Sequence, residues 1–332
     1  MRIVINGFGR IGRTILRQIM TDPGHADIEV ALINDIAPLE TCAYLLKYDS
    51  TFGPLPDTVE EEDGALTIGQ SRIAFSTSAD IGACDLTDVD VVLECTGRIT
   101  SRDMAERGLR AGAKAVLISG PSDHSDTTIV LGANDETLGR SMIISNSSCT
   151  TNAIAPLLRA IDAKLGIEQA HVTTIHCYTA SQPMVDTPRA GLARSRAGAE
   201  SMVPTTTSAA KELTQILPGI GARTSIAAVR VPCLSVSAID ATIQLSSPAA
   251  ASATETLKKI ANESRVIGAT DDACVSRDLR ARPESLILAL PETMATGERQ
   301  LRLFGWYDNE WGFSARMIDM ARRLASRSNR PG

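Results

Sequence analysis

Residues 2–13 read RIVINGFGRIGR, and this stretch decides the fold of the first half of the chain. A short strand runs directly into GxGxxG, formed by Gly7, Gly9 and Gly12, and a helical pattern follows to about residue 20. In this setting the first glycine makes a tight turn, the second lets the backbone approach a pyrophosphate, and the third lets the helix pack against the strand. The stretch therefore predicts a dinucleotide-binding unit, with a plain glycine-rich turn as the alternative for the motif alone.

An acidic residue ends the second strand. The run IEVALI at residues 28–33 is followed by Asn34 and Asp35, and an acid at this position binds the adenosine ribose hydroxyls of a dinucleotide. The next three residues, IAP, carry no Arg or Lys that could meet a 2′-phosphate. The sequence therefore favours NAD over NADP, with Asp35 as a loop cap as the alternative.

Strand and helix patterns alternate through the rest of the first half. Strands are predicted at 89–95, 115–119, 128–131 and 142–144, and a helix is predicted at 101–111. The first of these strands ends in Thr96 and Gly97, whose small size allows close approach of a cofactor at the carboxyl edge of a parallel sheet. This alternation predicts a doubly wound sheet.

The run SNSSCTTN at residues 145–152 places a cysteine at a strand-to-helix junction. At a helix N-terminus the unpaired N–H groups and the macrodipole favour an anion, so a thiol there ionises more readily, and the thiolate is the nucleophile. Cys149 is therefore a candidate covalent catalyst, and a buried structural cysteine is the alternative.

The second half consists largely of long alternating strands, and the first of them contains His171 and His176. Strand alternation puts these two side chains on opposite faces, so one of them at most meets the cysteine. His176, at the end of the strand, is the better candidate base. A structural histidine is the alternative.

Arginines and hydroxyl residues follow in the sequence. Arg194 lies in a long predicted loop at 179–204, which ends in the threonine run 205–207 before a helix predicted from Ala209. Such a combination suits phosphate, although a solvated basic loop is equally compatible with it. Arg230 lies inside the apolar strand at 227–231, where a charge is costly unless it faces an anion or an acid.

The composition limits the classes of function. A net charge of −6 argues against nonspecific nucleic-acid binding, and no apolar run approaches the roughly 20 residues that cross a membrane. Seven cysteines without a CxxC pair or metal-like spacing, and a chain that begins directly on a strand, predict no metal site, no signal peptide and a reducing cytoplasm.

End to end, the chain resembles the phosphorylating glyceraldehyde-3-phosphate dehydrogenase family. The matching motifs are NGFGRIGR (6–13), ND (34–35), KYDS (47–50), ECTG (94–97), SNSSCTTN (145–152), RVP (230–232) and YDNEWG (307–312). The resemblance implies an α/β fold with an N-terminal Rossmann NAD-binding domain at 1–148, completed by a C-terminal helix at 313–332. It also implies an α+β catalytic domain at 149–312 with a mostly antiparallel sheet.

The resemblance also implies the roles of individual residues. Cys149 would attack the aldehyde to give a thiohemiacetal and then a thioester, with His176 activating the thiol as a thiolate–imidazolium pair. The residues implied for NAD are Gly7, Phe8, Gly9, Arg10, Ile11, Gly12, Asp35, Thr96, Gly97, Ser119 and Asn309. Those implied for the phosphorylated aldehyde and inorganic phosphate are Ser148, Thr150, Thr179, Arg194, Thr207, Ser208 and Arg230. The family assembles as a homotetramer, in which the loop at about 179–203 borders a neighbour's cofactor site.

This chain departs from the family around the phosphate pockets. Ser181, Pro183 and Ser208 stand where the family usually has Asp, Arg and Gly, and Thr187 stands where it has Leu near the adenosine ribose. An erythrose-4-phosphate dehydrogenase is therefore the near alternative. A catalytically silent NAD-binding protein and a thiol hydrolase are the alternatives from other classes.

Overall fold

The computed structural model describes residues 1–328. By its internal contacts the chain forms two compact units. Unit 1 comprises Met1–Ile129, Glu136–Ser147 and the chain from Ser314, and unit 2 comprises Val130–Asp135 and Ser148–Phe313.

Unit 1 is built on a sheet with helices in its crossovers. Its elements are β1 (Arg2–Asn6), α1 (Arg10–Thr21), β2 (Glu29–Asn34), α2 (Leu39–Lys47), β3 (Tyr48–Asp49), β4 (Gly53–Pro54), β5 (Val59–Glu62), β6 (Ala65–Ile68), β7 (Ser71–Ser76), β8 (Val91–Glu94), α3 (Arg102–Arg110), β9 (Val116–Ile118), β10 (Thr127–Thr128) and β11 (Ile143–Ser145).

The sheet of unit 1 has the strand order β10-β11-β9-β8-β1-β2-β7-β6-β5. The pairs from β10 to β7 are parallel, and β5 and β6 extend the edge as an antiparallel hairpin. The chain goes from β1 to β2 on one side and later to β8 on the other. The order therefore reverses between β1 and β8, and such a switch point is where doubly wound sheets bind ligands. The predicted doubly wound sheet is confirmed.

Unit 2 carries longer strands. Its elements are α4 (Cys149–Leu165), β12 (Ile167–Cys177), β13 (Val203–Thr205), α5 (Ala209–Ile216), α6 (Pro218–Gly221), β14 (Thr224–Val231), β15 (Ser237–Leu245), α7 (Ala253–Glu263), β16 (Ile267–Thr270), β17 (Leu286–Ala289), β18 (Met294–Thr296) and β19 (Gln300–Tyr307). A last helix, α8 (Trp311–Ser328), begins in unit 2 and belongs to unit 1 from Ser314 onwards.

The main sheet of unit 2 has the order β13-β14-β12-β15-β19-β17-β16, and β18 pairs with β19. Most of its pairs are antiparallel, as expected, while β12–β14 and β16–β17 are parallel. Helix α4 is buried on most of its faces, because its aliphatic residues join the main apolar cluster of this unit with the inward residues of β12, β15 and β19. This packing fixes the start of α4 relative to the end of β12.

Two details differ from the sequence-based expectations. The strand predicted at 128–131 is reduced to Thr127–Thr128, because the Val130 backbone N–H donates to the side chain of Asn134 in a turn (2.8 Å). Val130 and Ala133 then pack in the apolar cluster of unit 2, whereas the predicted boundary put residues 130–135 in the first domain. Among residues 1–328, no helix is long and apolar enough to span a membrane.

Candidate active site

Cys149 is the first residue of α4, directly after a hydroxyl cap. Ser148 has an extended backbone, and its side chain accepts a hydrogen bond from the Thr151 backbone N–H (3.3 Å). The thiol therefore lies at the positive end of a 17-residue helix, as the sequence predicts. The residue is partly accessible.

His176 lies opposite the thiol, with its Nε2 3.5 Å from the Cys149 Sγ. It is buried, whereas His171 on the other face of β12 is exposed, which agrees with the predicted alternation. The His176 Nδ1 lies 2.7 Å from the carbonyl oxygen of Cys177, and we assign this contact as an Nδ1–H donor. That tautomer leaves Nε2 as the acceptor for the thiol proton.

Arg230 adjoins the imidazole. Its Nη1 donates to the Cys177 carbonyl oxygen (2.9 Å) and lies 2.9 Å from the His176 Nδ1. Because Arg230 is a donor and the assigned Nδ1–H is also a donor, the second contact is electrostatic rather than a hydrogen bond. The guanidinium therefore opposes a second positive charge on the imidazole.

The surroundings favour neutral forms of both groups. Desolvation raises the pKa of the Cys149 thiol to about 11, although Arg230 and hydrogen bonds from Thr150 lower it. Desolvation, and then the charge of Arg230, lower the pKa of His176 to about 4. These shifts favour a neutral thiol beside a neutral imidazole over the thiolate–imidazolium pair that the resemblance implies.

Buried Tyr307 contacts Thr150, which follows Cys149, and the ring of His176. Its hydroxyl lies 3.0 Å from the Thr150 Oγ1 and 2.7 Å from the Thr174 Oγ1, and its ring meets the His176 ring edge-on at 6.0 Å. The Thr150 side chain is thus engaged inside the protein. The Thr150 backbone N–H also hydrogen-bonds to the Cys149 sulfur.

The other predicted phosphate residues form two groups. Ser148 belongs to the thiol's helix start. The guanidinium of Arg194 bonds to the Thr205 Oγ1 and to the Thr206 carbonyl oxygen, so the predicted loop and the threonine run are brought together. Two further predicted phosphate residues, Thr207 and Ser208, lie at the start of α5. The Thr207 Oγ1 accepts from the Ala209 backbone N–H (3.2 Å), and Ser208 is the exposed N-cap without a side-chain capping bond.

Two predicted residues of unit 2 have other partners. The Thr179 Oγ1 lies 2.9 Å from the Ser181 Oγ, so the serine that departs from the family pattern contacts a predicted phosphate ligand directly. The Asn309 Oδ1 accepts from the Cys177 Sγ (3.1 Å) and from the Ser237 Oγ (3.2 Å). These two donors fix the orientation of the Asn309 amide.

In unit 1 the glycines are required by close backbone approaches. A Cβ at Gly7 would lie 2.5 Å from the backbone nitrogen of Thr96, and one at Gly12 would lie 2.2 Å from the carbonyl oxygen of Gly7. A Cβ at Gly9, by contrast, would meet nothing within 4 Å. Gly7 and Gly12 thus close the turn, and Gly9 leaves open space at the start of α1, where no side chain of the described residues caps the helix. This arrangement fits a pyrophosphate.

A cavity at the switch point contains several of the predicted cofactor residues. Its lining includes Gly7, Gly9, Asp35 and Thr96. The Asp35 carboxylate accepts from the Phe8 N–H (2.6 Å) and the Ala37 N–H (2.9 Å), so it is fixed beside the glycine turn. A ribose hydroxyl can donate to such a carboxylate, and the residues present fit a dinucleotide.

A buried polar network supports this cavity. The register aligns Asn6 with Asn34 and with Glu94 across three strand ends. Asn6 donates to the Glu94 carboxylate, Asn34 donates to the Asn6 Oδ1 (2.8 Å), and Glu94 accepts from the Thr96 N–H (3.0 Å). Desolvation raises the pKa of Glu94, against the effect of these hydrogen bonds.

The remaining predicted cofactor residues lie around the turn and the sheet edge. Phe8 is buried, and Arg10 forms an ion pair with Asp49. Ile11 is in the first turn of α1, Gly97 (φ +65°) follows the β8 edge, and the Ser119 N–H donates to the Glu94 carbonyl oxygen (2.9 Å).

The sequence reasoning missed Tyr307, Glu212 and Cys177. Tyr307 belongs to the quoted motif YDNEWG and Cys177 follows His176, but their contacts arise from the sheet register. Glu212 had a usable signal, since it shares the apolar face of α5 with Ala209, Leu213 and Ile216. Within residues 1–328, no group of three or more His, Cys, Asp or Glu side chains is arranged to hold a metal ion.

Comparison with known proteins gives the family directly. Residues 1–102 match the family model described as the glyceraldehyde 3-phosphate dehydrogenase NAD binding domain, and residues 148–309 match that of its C-terminal domain. A protein of Xanthobacter flavus named glyceraldehyde-3-phosphate dehydrogenase is 41% identical over 97% of both chains. Proteins of the same name from Pseudomonas aeruginosa (41%, 98% of both chains) and Geobacillus stearothermophilus (37%, 98% of this chain and 99% of the relative) agree with it. The chain therefore belongs to the glyceraldehyde-3-phosphate dehydrogenase family and is an NAD-dependent oxidoreductase that acts on an aldehyde group, as the sequence predicts.

Proposed function

We propose that the chain oxidises D-glyceraldehyde 3-phosphate in the presence of inorganic phosphate to 1,3-bisphosphoglycerate, with Cys149 as nucleophile and His176 as base. The observation that carries this assignment is the 3.5 Å approach of the Cys149 Sγ to the His176 Nε2 at the start of α4. A thiol at a helix N-terminus beside an imidazole acceptor is the arrangement that nucleophilic catalysis needs.

The first step is attack on the aldehyde carbon. Because the resting thiol and imidazole are neutral, the proton moves from Sγ to Nε2 as the carbon–sulfur bond forms. The imidazolium then gives this proton to the former carbonyl oxygen, and a hemithioacetal remains on Cys149. The Nδ1–H contact with the Cys177 carbonyl oxygen keeps the ring oriented and stabilises its charged form.

Oxidation and acyl transfer follow on the same sulfur. When NAD is bound, it supplies a hydride acceptor for the hemithioacetal carbon, whose hydroxyl proton His176 takes. The resulting thioester is then attacked by a phosphate oxygen, the carbon–sulfur bond breaks, and Cys149 leaves as the thiolate that His176 reprotonates.

The phosphate groups have two candidate binding regions. Arg230, beside the imidazole, and Thr179 would hold the phosphate of the aldehyde. Arg194, Thr207, Ser208, Ser148 and Thr150 would hold the attacking phosphate. Arginine and helix-start N–H groups are favourable ligands for these oxyanions.

The alternatives have less support. The curated relatives share the glyceraldehyde-3-phosphate dehydrogenase name, which does not favour the tetrose enzyme. A catalytically silent NAD-binding protein would not need the Cys149–His176 contact. A thiol hydrolase would not need the dinucleotide cavity.

Steady-state kinetics distinguishes these candidate functions. We would measure kcat/KM for NADH formation from glyceraldehyde 3-phosphate and erythrose 4-phosphate, each with and without inorganic phosphate. The proposal expects the triose to be preferred and its sustained turnover to require phosphate. Cys149→Ser should abolish turnover while NAD affinity, measured by calorimetry, stays near normal. NADH formation from neither aldehyde, or equal activity of Cys149→Ser, would refute the assignment.

We also propose a homotetramer in a reducing compartment, the cytoplasm. The segment 179–203 exposes large apolar side chains, among them Met184, Val185, Leu192 and Met202, and such side chains are commonly covered by a neighbouring subunit. All seven cysteines are free thiols, as this chemistry requires of Cys149. Light scattering after size exclusion tests the assembly; a monomer at micromolar concentration would contradict it.

A further inference from the structure

A buried carboxylate from a second helix touches the start of the thiol's helix. Glu212 lies on α5 and is 3% exposed. Its Oε2 accepts from the Ser148 backbone N–H (2.9 Å) and from the Thr151 Oγ1 (2.8 Å). A carboxylate of α5 therefore acts as a hydrogen-bond acceptor for the N-terminus of α4.

The Ser148 and Thr151 hydroxyl groups at the start of α4 belong to the same hydrogen-bond network as Glu212. The Ser148 Oγ lies 2.7 Å from the Thr151 Oγ1, which in turn donates to Glu212. The Thr151 backbone N–H is taken by the Ser148 Oγ. Of the donors at this helix start that could bind an external oxyanion, the Ser148 N–H and the Thr151 hydroxyl thus already donate to Glu212, and the Thr151 N–H donates to a neighbouring hydroxyl.

The charge of Glu212 also reaches the nucleophile. It raises the pKa of the Cys149 thiol, in the same direction as desolvation and opposite to Arg230. Burial and the charge of Arg230 lower the pKa of His176 to about 4, which favours its neutral form. Burial also raises the pKa of Cys177 and of Tyr307, the other titratable groups that interact with the thiol, so both favour their neutral forms. The buried charge of Glu212 is poorly screened by solvent. It therefore disfavours a second anion at the start of α4, whether the Cys149 thiolate or a bound phosphate.

We propose that Glu212 is a specificity-determining residue for the acyl acceptor: it occupies part of the anion-binding N-terminus of α4 and so weakens the binding of inorganic phosphate beside Cys149. This rests on the proposed function, in which phosphate attacks the thioester. Glu212 acts on the site through Ser148 and Thr151 and is in that respect a positioning residue.

The test is the kinetics of Glu212→Gln, which retains the acceptor oxygen and the shape and removes the charge. We expect the KM for inorganic phosphate to fall about 3- to 10-fold, the range that one nearby charge produces in partly screened sites. The KM for arsenate, a phosphate analogue of the same charge, should fall by the same factor. The KM values for the aldehyde and NAD should not move, and the pH midpoint for alkylation of Cys149 should shift downwards.

Two further variants separate charge from packing. Thr151→Val removes one donor from the Glu212 carboxylate and keeps its charge, so it should raise both the KM for phosphate and the alkylation midpoint. Glu255→Gln makes the same charge change in the first turn of α7, on an exposed side chain, and should change neither value.

The outcomes are distinct. An unchanged phosphate KM and alkylation midpoint in a folded Glu212→Gln protein would overturn the inference, as would changes of equal sign in Glu212→Gln and Thr151→Val. If Glu212→Gln does not fold, Thr151→Val alone decides, and an unchanged or lower phosphate KM overturns the inference. A wild-type protein that forms NADH without any phosphate dependence would instead refute the proposed function.

Discussion

Arg230 lies beside His176 because β14 and β12 pair in parallel with these two residues in register. The resulting 2.9 Å contact between the Arg230 Nη1 and the His176 Nδ1 puts a fixed cation against the imidazole. Arg230 thereby lowers the pKa of His176 and also lowers that of Cys149, so it favours the thiolate while opposing the imidazolium. A substrate phosphate bound to Arg230 would relieve the second effect just as the base is needed.

Replacing Arg230 should therefore change the titration of His176. In Arg230→Met the pKa of His176 should rise from about 4 toward its ordinary value, with desolvation still holding it below that value. NMR of histidines labelled at Cε1 measures this directly, and exposed His171 in the same spectrum provides the internal control. A His176 titration that does not move would show that Arg230 exerts no field on the imidazole. The KM for the phosphorylated aldehyde should also rise at least about tenfold, because a charge-assisted contact is lost.

Acid stability should depend on the same histidine. Since the folded pKa of His176 is about 4 and the ordinary value is 6.5, the unfolded chain binds a proton that the folded chain does not bind between these values. The contribution to stability is therefore complete above pH 6.5 and is lost as the pH falls toward 4. By linkage, the loss between pH 7 and pH 5 is about 2 kcal/mol.

His176→Asn should remove most of that pH dependence. Urea denaturation at pH 7 and pH 5, followed by tryptophan fluorescence, measures it, because Trp306 and Trp311 both belong to unit 2. His171→Asn, an exposed change on the same strand, should retain the wild-type loss. Equal losses in both variants would mean that His176 is not buried in its neutral form.

The glycine turn yields a matched pair of substitutions. Gly7→Ala should destabilise the fold and abolish NAD binding, because φ is +94° and the new Cβ would lie 2.5 Å from the Thr96 backbone nitrogen. Gly9→Ala has no protein atom within 4 Å of the new Cβ, so it should fold with a thermal midpoint close to wild type. Its NAD affinity should nevertheless fall at least about tenfold, because the methyl group enters the space predicted for the pyrophosphate. Calorimetry showing wild-type affinity in Gly9→Ala would place the cofactor elsewhere.

Local motifs were enough to predict the fold class, the position of Cys149 at a helix start and the glycine turn. Each depends on a few consecutive residues: RIVINGFGRIGR specifies strand, turn and helix, and SNSSCTTN puts Cys149 at a helix start. Strand alternation also correctly separated His176 from His171. These inferences needed no knowledge of which strands are neighbours.

Contacts between distant segments could not be predicted in this way. The Arg230–His176 contact depends on the parallel register of β14 with β12, which sequence spacing does not specify. Glu212 reaches Ser148 across 64 positions, although its place on the apolar face of α5 marked it as a buried acid that needed donors. The raised pKa of the Cys149 thiol and the lowered pKa of His176 likewise follow from desolvation, which depends on the packed structure.

The Tyr307 hydroxyl contacts Thr150 of α4 and Thr174 of β12. It can be removed without changing the packing of the ring. Tyr307→Phe leaves the Thr150 and Thr174 hydroxyls without this buried partner and should cost about 1–3 kcal/mol of unfolding free energy. Thr150 also hydrogen-bonds to the Cys149 sulfur, so the loss should change the pH midpoint of Cys149 alkylation as well. Thr174→Val removes the other contact of the hydroxyl and leaves that with Thr150 in place; it should lower stability while the alkylation midpoint stays unchanged. If both variants shift the midpoint equally, the effect comes from general loosening of the core, and Tyr307 has no specific part in positioning the nucleophile.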